Sequence, residues 1–223
     1  MSATKLLLIC GIVNPVVYAG TDILAGARYP GYSFRSQAVS ELFAVGAPTS
    51  GLVVPLFSLG SLFFLAFAWG VWRSAGERRS LRAMAVLFAV AAVNGLVLWN
   101  FFPMHMRGAP RTLTDTMHLI LAANPSVTLS LLVAAIAFRR WFRLYSIASL
   151  IVLVALASLS FSYAPHIDAG EPTPWLGVTE RIAQWTYYVW QVVLAGMLLR
   201  GDSVALPDSI AAGLTHRSRI SQP

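Results

Sequence analysis

The chain has 223 residues, 57% of them apolar and 11% charged, with a formal net charge of +7. Soluble domains carry about 25% charged residues, so this composition, with a mean hydropathy of +0.67, excludes an ordinary soluble globule and indicates an integral membrane protein. The basic residues flank hydrophobic segments, where they meet anionic headgroups. The pI near 10.2 therefore speaks for a membrane rather than for nucleic acid, and the single cysteine, Cys10, excludes intramolecular disulfides and CxxC units.

Six apolar stretches predict six transmembrane helices of roughly 20 residues. The first, Leu6 to about Ala19, is short and interrupted by Asn14 and Pro15. A retained helix is the preferred reading, with a cleaved signal peptide as the alternative. The longest loop follows, Gly20 to about Ser50, with a Tyr29-Pro30-Gly31-Tyr32 turn and a short interfacial helix over Ser36 to Val45. The second helix spans about Gly51 to Trp72, and a basic turn at Glu77-Arg78-Arg79 leads to the third, about Leu81 to Phe102. A loop over Pro103 to Thr114 precedes the fourth helix, about Asp115 to Phe138, where Asn124-Pro125 marks a kink. After Arg139-Arg140 comes the fifth, about Trp141 to Tyr163, then a Pro-rich loop to Gly177 and the sixth, about Val178 to Leu199. The expected organisation is one six-helix domain over residues 1–200 and a polar, disordered cytoplasmic tail over 201–223.

The flanking charges orient these helices. With Lys5 inside, the inward segments hold eleven basic residues against three acids, and the outward segments five against six. The positive-inside rule then places both termini in the cytoplasm. It also puts His105, His118 and His166 and six of the nine acids on the outer side.

Ionisable residues at membrane depth are expensive and are functional candidates by default. Glu180, Gln184, Tyr187 or Tyr188, and Gln191 recur at three- and four-residue spacing and form a polar stripe down the sixth helix. Cys10, Asn14, Tyr18 and Asp22 form another down the first. Asp115 and His118 share a face at the start of the fourth helix. Together with His105 and Glu41 they offer oxygen and nitrogen ligands for a divalent metal, which would activate water. Without a metal, Asp115 can orient His118 as a general base, with Ser40 as nucleophile. The structural alternative has Asp115 complementing the helix N-terminus and bonding His118. Glu180 is expected to pair with Arg107, Arg111 or His118.

Four patches in order, Tyr29-Pro30-Gly31-Tyr32 with Ser40-Glu41-Leu42, Phe102-Pro103, Asp115 with His118-Leu119, and Glu180-Arg181-Ile182, resemble the six-helix bacterial and archaeal membrane proteins grouped as domain-of-unknown-function family 998. The resemblance covers about Leu6 to Leu199. Met104-His105-Met106-Arg107 departs from it where many relatives are expected to carry an acid. It implies an all-α, multi-pass bundle of the prokaryotic cytoplasmic (inner) membrane and assigns no activity.

Four functional expectations follow. The first is a lipid-headgroup pocket on the outer face, lined by Glu41, Arg107, Asp115, His118, Glu180, Arg181 and Gln184, with membrane lipids as partners. The second is a noncatalytic assembly factor or accessory subunit with a membrane-protein partner. The third is a metal-dependent intramembrane hydrolase built on Asp115 and His118. A transport path comes last, because the inner half lacks acids or bases for ion coupling.

Overall fold

The computed structural model describes residues 1–201 and is all-helical. The expected tail lies, from Asp202 onward, outside the described residues. Five helices are long and apolar enough to cross a membrane: Ala3–Arg28, Ser50–Ser74, Arg79–Phe101, Leu113–Ala137 and Trp141–Asp168.

Helix α1 (Ala3–Arg28) is capped by the Ser2 side chain, which accepts from the Lys5 N–H. It runs nine residues past the expected end at Ala19. Pro15 does not stop it, and Asp22 therefore sits in the helix rather than in a loop. Residues 29–49 then carry a single 3-10 segment, Val39–Phe43, which tucks Leu42 and Phe43 against Ala25 and Val53. Helix α2 (Ser50–Ser74) returns along α1. The two approach so closely that a Cβ on Gly11 would lie 2.5 Å from the Phe67 ring, and one on Gly70 2.9 Å from the Cβ of Leu7. These glycines are needed for that contact, as small residues are at membrane helix interfaces generally.

Helix α3 (Arg79–Val93) passes through one π-turn, Asn94–Leu98, into the short α4 (Trp99–Phe101). The fourth span is broken into α5 (Leu113–Ala123) and α6 (Pro125–Ala137) by Asn124, the one described non-glycine residue at positive φ, +25°. Proline has no N–H, so the Leu121 carbonyl loses its usual helical donor. The Asn94 amide supplies a replacement across the bundle, Nδ2 to Leu121 O at 3.0 Å. The π-turn and the break thus face one another, and of α5 only His118 is buried.

Helix α7 (Arg140–Ser162) continues into the short α8 (Ala164–Asp168), and α9 (Leu176–Arg200) closes the bundle by packing between α1 and α7. The neighbours run α1–α2–α3–α6–α7–α9 and back to α1, so consecutive spans lie side by side as short connections require. The centre is aromatic. Phe64, Phe67, Phe88, Phe142, Tyr187 and Trp190 form one cluster, and the buried Trp190 indole donates to Ser146 Oγ at 2.9 Å. Helix α9 is not among the five strongly apolar spans. Its polar groups are turned inward: Gln191, 0% exposed, donates to Gly11 O at 2.8 Å, and Tyr188 meets Tyr18 at 4.9 Å between ring centroids. The two polar stripes read from the sequence therefore meet in part across one α1–α9 seam, at Tyr18 and Tyr188 and at Gln191, while Asn14 turns to Gly60 of α2 and Glu180 to Val39.

Candidate functional site

Charged residues gather at the loop-rich end, where they form separate knots rather than one pocket. The deepest joins α9 to α1. Arg181 donates through Nε and Nη2 to the two oxygens of Asp22, each at 2.8 Å, with side-chain exposures of 13% and 7%. The same guanidinium donates to Tyr32 Oη at 2.7 Å and to the carbonyls of Phe34, Gln37 and Gly177. Tyr32 in turn donates to Ala38 O at 2.8 Å. Burial pushes the Tyr32 phenol well above its ordinary value, which keeps the proton this bond needs.

A second knot fixes the 3-10 segment. Arg107 reaches both oxygens of Glu41, Nη2 at 2.7 Å and Nε at 3.1 Å, and also donates to Thr173 Oγ1 and Glu171 O. Glu41, 3% exposed, accepts as well from the Ala38 N–H and from Gln37 Nε2. Such a fork-to-fork pair satisfies both charges at once. Arg107 thereby ties three loops together, assisted by Val45 N–H to Met104 O and Gly108 N–H to Ile167 O.

The third knot is local. Asp115 accepts from the Thr112 N–H and hydroxyl and from the His105 N–H, and lies 2.9 Å from His105 Nδ1. The Thr112-Asp115 spacing makes a capping box at the start of α5. His118 does not join Asp115. Its Nδ1 lies 2.9 Å from Phe102 O, a bond in which the ring must donate, and the ring is wedged against Trp99 and Phe43. Glu180 meets neither Arg107, Arg111 nor His118; it accepts from the Val39 N–H at 3.0 Å, while Arg111 pairs with Asp168. Gln184 lies one turn further along α9, half-buried.

The expected ligand set is thus divided. Asp115 is with His105, His118 is with Phe102, and Glu41 is with Arg107. Among the described residues no three His, Cys, Asp or Glu side chains stand where they could hold a metal ion together. The seven expected pocket residues likewise serve different knots, and of them Arg107 alone lines the larger cleft described next.

That cleft, of about 680 Å³, opens between residues 31–37 and 170–174 and is lined by Arg35, Ser36, Gln37, Arg107, Glu171 and Thr173 among others. Arg35 stacks over the exposed Trp175 ring at 4.1 Å, and among the described residues it has no carboxylate partner. Sequence reading did not single out Arg35, although an Arg in a Tyr- and Phe-rich loop next to a membrane is the signal that marks it. A second hollow, of about 510 Å³, follows the α7–α9 seam between Tyr145, Ala148, Val152, Ile182, Trp185 and Val189.

Searches of curated proteins and of solved structures return no match. Residues 12–197 match a family described as "Protein of unknown function (DUF998)"; this share of the chain, together with the apolar helices, makes it an integral membrane protein belonging to that family.

Proposed function

We propose that the protein is a six-span protein of the prokaryotic cytoplasmic membrane that holds a lipid headgroup at its outer face. Helix α9 is the sixth span. Its 25 residues extend about 37 Å at 1.5 Å per residue, its polar groups bond α1, and Ile182 and Val189 point outward to lipid. The excess of Arg and Lys at the other end puts both termini in the cytoplasm, and the first apolar run stays on as α1, because Arg181 and Gln191 depend on it.

The observation that carries the headgroup reading is Arg35. Arg107, Arg181 and Arg111 are each matched to a carboxylate, whereas Arg35 lies on an exposed Trp in an open cleft with no such partner. Arg and Trp together suit the headgroup layer, and a guanidinium is suited to phosphate oxygens. Glu41, Arg107 and Arg181 then serve the site by holding its walls. In lipid nanodiscs, Arg35→Ala is expected to lower phospholipid retained in native mass spectrometry at least fivefold, with Arg28→Ala as the control that does not. Equal retention in both variants rejects the reading.

A noncatalytic assembly or accessory role is the second reading. It draws on the internal satisfaction of the knots, which specify loop positions whether or not a ligand binds. In that case Arg181→Ala reduces recovery of a partner protein and Arg35→Ala changes nothing. The hydrolase reading draws no comparable support, since Asp115 and His118 engage different groups.

A further inference from the structure

We propose that the Arg35 cleft and the α7–α9 hollow are two halves of one site for a whole zwitterionic phospholipid, with the headgroup in the cleft and one acyl chain along the seam. This deepens the headgroup reading and rests on it.

The alignment comes from α9. Trp175, the residue just before α9, stands at its N-terminal end, and Ile182 and Val189, seven residues apart and so close to two turns, lie on one face of the helix. All three are about half exposed, at 50%, 47% and 51%. Trp175 adjoins the cleft, because Pro174 lines it and Arg35, which also lines it, stacks on the Trp175 ring. Ile182 and Val189 line the hollow. The step from Trp175 to Ile182 is about 10 Å along the helix axis, and from there to Val189 about another 10 Å. A phosphate at Arg35 therefore leaves its glycerol at the level of Ile182 and its chain running toward Val189. That run fits within half of a hydrocarbon core about 30 Å thick.

The chemistry of each half selects its occupant. The hollow is lined by Ala148, Val152, Ile182, Trp185 and Val189 with the hydroxyl side chains of Tyr145, Ser149 and Thr186, and the Arg181 charge at its upper end is already bound to Asp22. It offers no open charge and therefore takes hydrocarbon. The cleft offers one cation without a carboxylate, Arg35. It also offers Glu171, which is 59% exposed at the side chain and whose carboxylate lies 3.9 Å from His166 Nε2. Arg107 adds no net charge, being neutralised by Glu41. One open cation and one loosely held anion match a phosphate and an ammonium in the same headgroup, which a purely anionic lipid lacks.

The test uses the full-length protein in nanodiscs made from equal parts of phosphatidylethanolamine and phosphatidylglycerol, with a trace of phosphatidylethanolamine bearing a diazirine near the middle of one chain. After photolysis, peptide mapping is expected to place most label on residues 145–152 and 182–189, and native mass spectrometry to show at least fivefold enrichment of phosphatidylethanolamine. Glu171→Gln is expected to abolish that enrichment, and Val189→Trp to remove the label while glycerophosphoethanolamine in solution still binds. Because the mapping is done on the unaltered chain, it does not depend on the folding of any variant. Label spread evenly over α2 and α3 overturns the acyl-chain half. Equal retention of the two lipids overturns the zwitterionic assignment. If Arg35→Ala leaves retention unchanged, the headgroup reading itself falls; if Arg35→Ala lowers retention but the label is spread, only this inference falls.

Discussion

At the loop-rich end of the bundle Arg181 meets Asp22 by two bonds of 2.8 Å, with the pair almost wholly out of solvent. At the basic end Arg82 reaches Glu77 at 3.5 Å, with side chains 44% and 96% exposed. The same residue types do different work in these two places. An exposed pair contributes about 0–1 kcal/mol, so the arginines of the basic end add little to stability pair by pair. A buried pair contributes little net stability relative to an apolar replacement, but losing one partner strands a charge. The loop-rich end therefore depends on each partner individually, and its loops are held by these directional bonds in addition to the burial of Val39, Leu42 and Phe43.

The largest expected effect follows from that contrast. Asp22→Ala or Arg181→Ala leaves a buried charge alone and is expected to cost about 3–5 kcal/mol, read as a fall in unfolding midpoint in nanodiscs and as new protease cleavage within residues 29–49. Asp115→Ala removes the acceptor for Thr112 and His105 and is expected to cost about 1–2 kcal/mol, with hydrogen exchange rising in α5 and the preceding loop but not in α9. Asn94→Ala withdraws one of the two donors to the Leu121 carbonyl, leaving the Asn124 N–H, and is expected to cost about 1 kcal/mol, confined to the π-turn and the α5–α6 break. Arg82→Ala is expected to leave the midpoint within about 0.5 kcal/mol of the parent. A large effect from Arg82→Ala, or a negligible one from Asp22→Ala, breaks the comparison between the two ends.

Much of the fold was legible because membrane spans announce themselves by length and apolarity, and the ends of α2 and α7 fall close to where the sequence put them. The first helix was cut short because Gly20-Thr21-Asp22 reads locally as a loop. The partner of the buried Asp22 is Arg181, 159 positions away, and no local pattern contains that distance. The Asn124-Pro125 break was visible in the sequence; the π-turn opposite it was not, since Asn94-Gly95-Leu96 fits an ordinary helix equally well. Within the site, both polar stripes were found but not their union, because spacing shows which residues share a face and not which faces meet. Asp115 was read toward His118 three positions on, whereas the Thr112-x-x-Asp115 box, also readable, turns it back toward the loop. Arg35 escaped notice because nothing near it in sequence is charged; it stands out only when every other arginine of the loop-rich end except Arg28 has been matched to its acid.

A double-mutant cycle on Asp22 and Arg181 tests most directly that buried charge pairing holds the loop-rich end together. Unfolding of the parent, Asp22→Ala, Arg181→Ala and the double variant would be followed in identical nanodiscs. Residues in contact are expected to couple: each single change costs about 3–5 kcal/mol, and the double variant costs no more than either single change. Additive losses, or single losses below about 1 kcal/mol, would contradict the account.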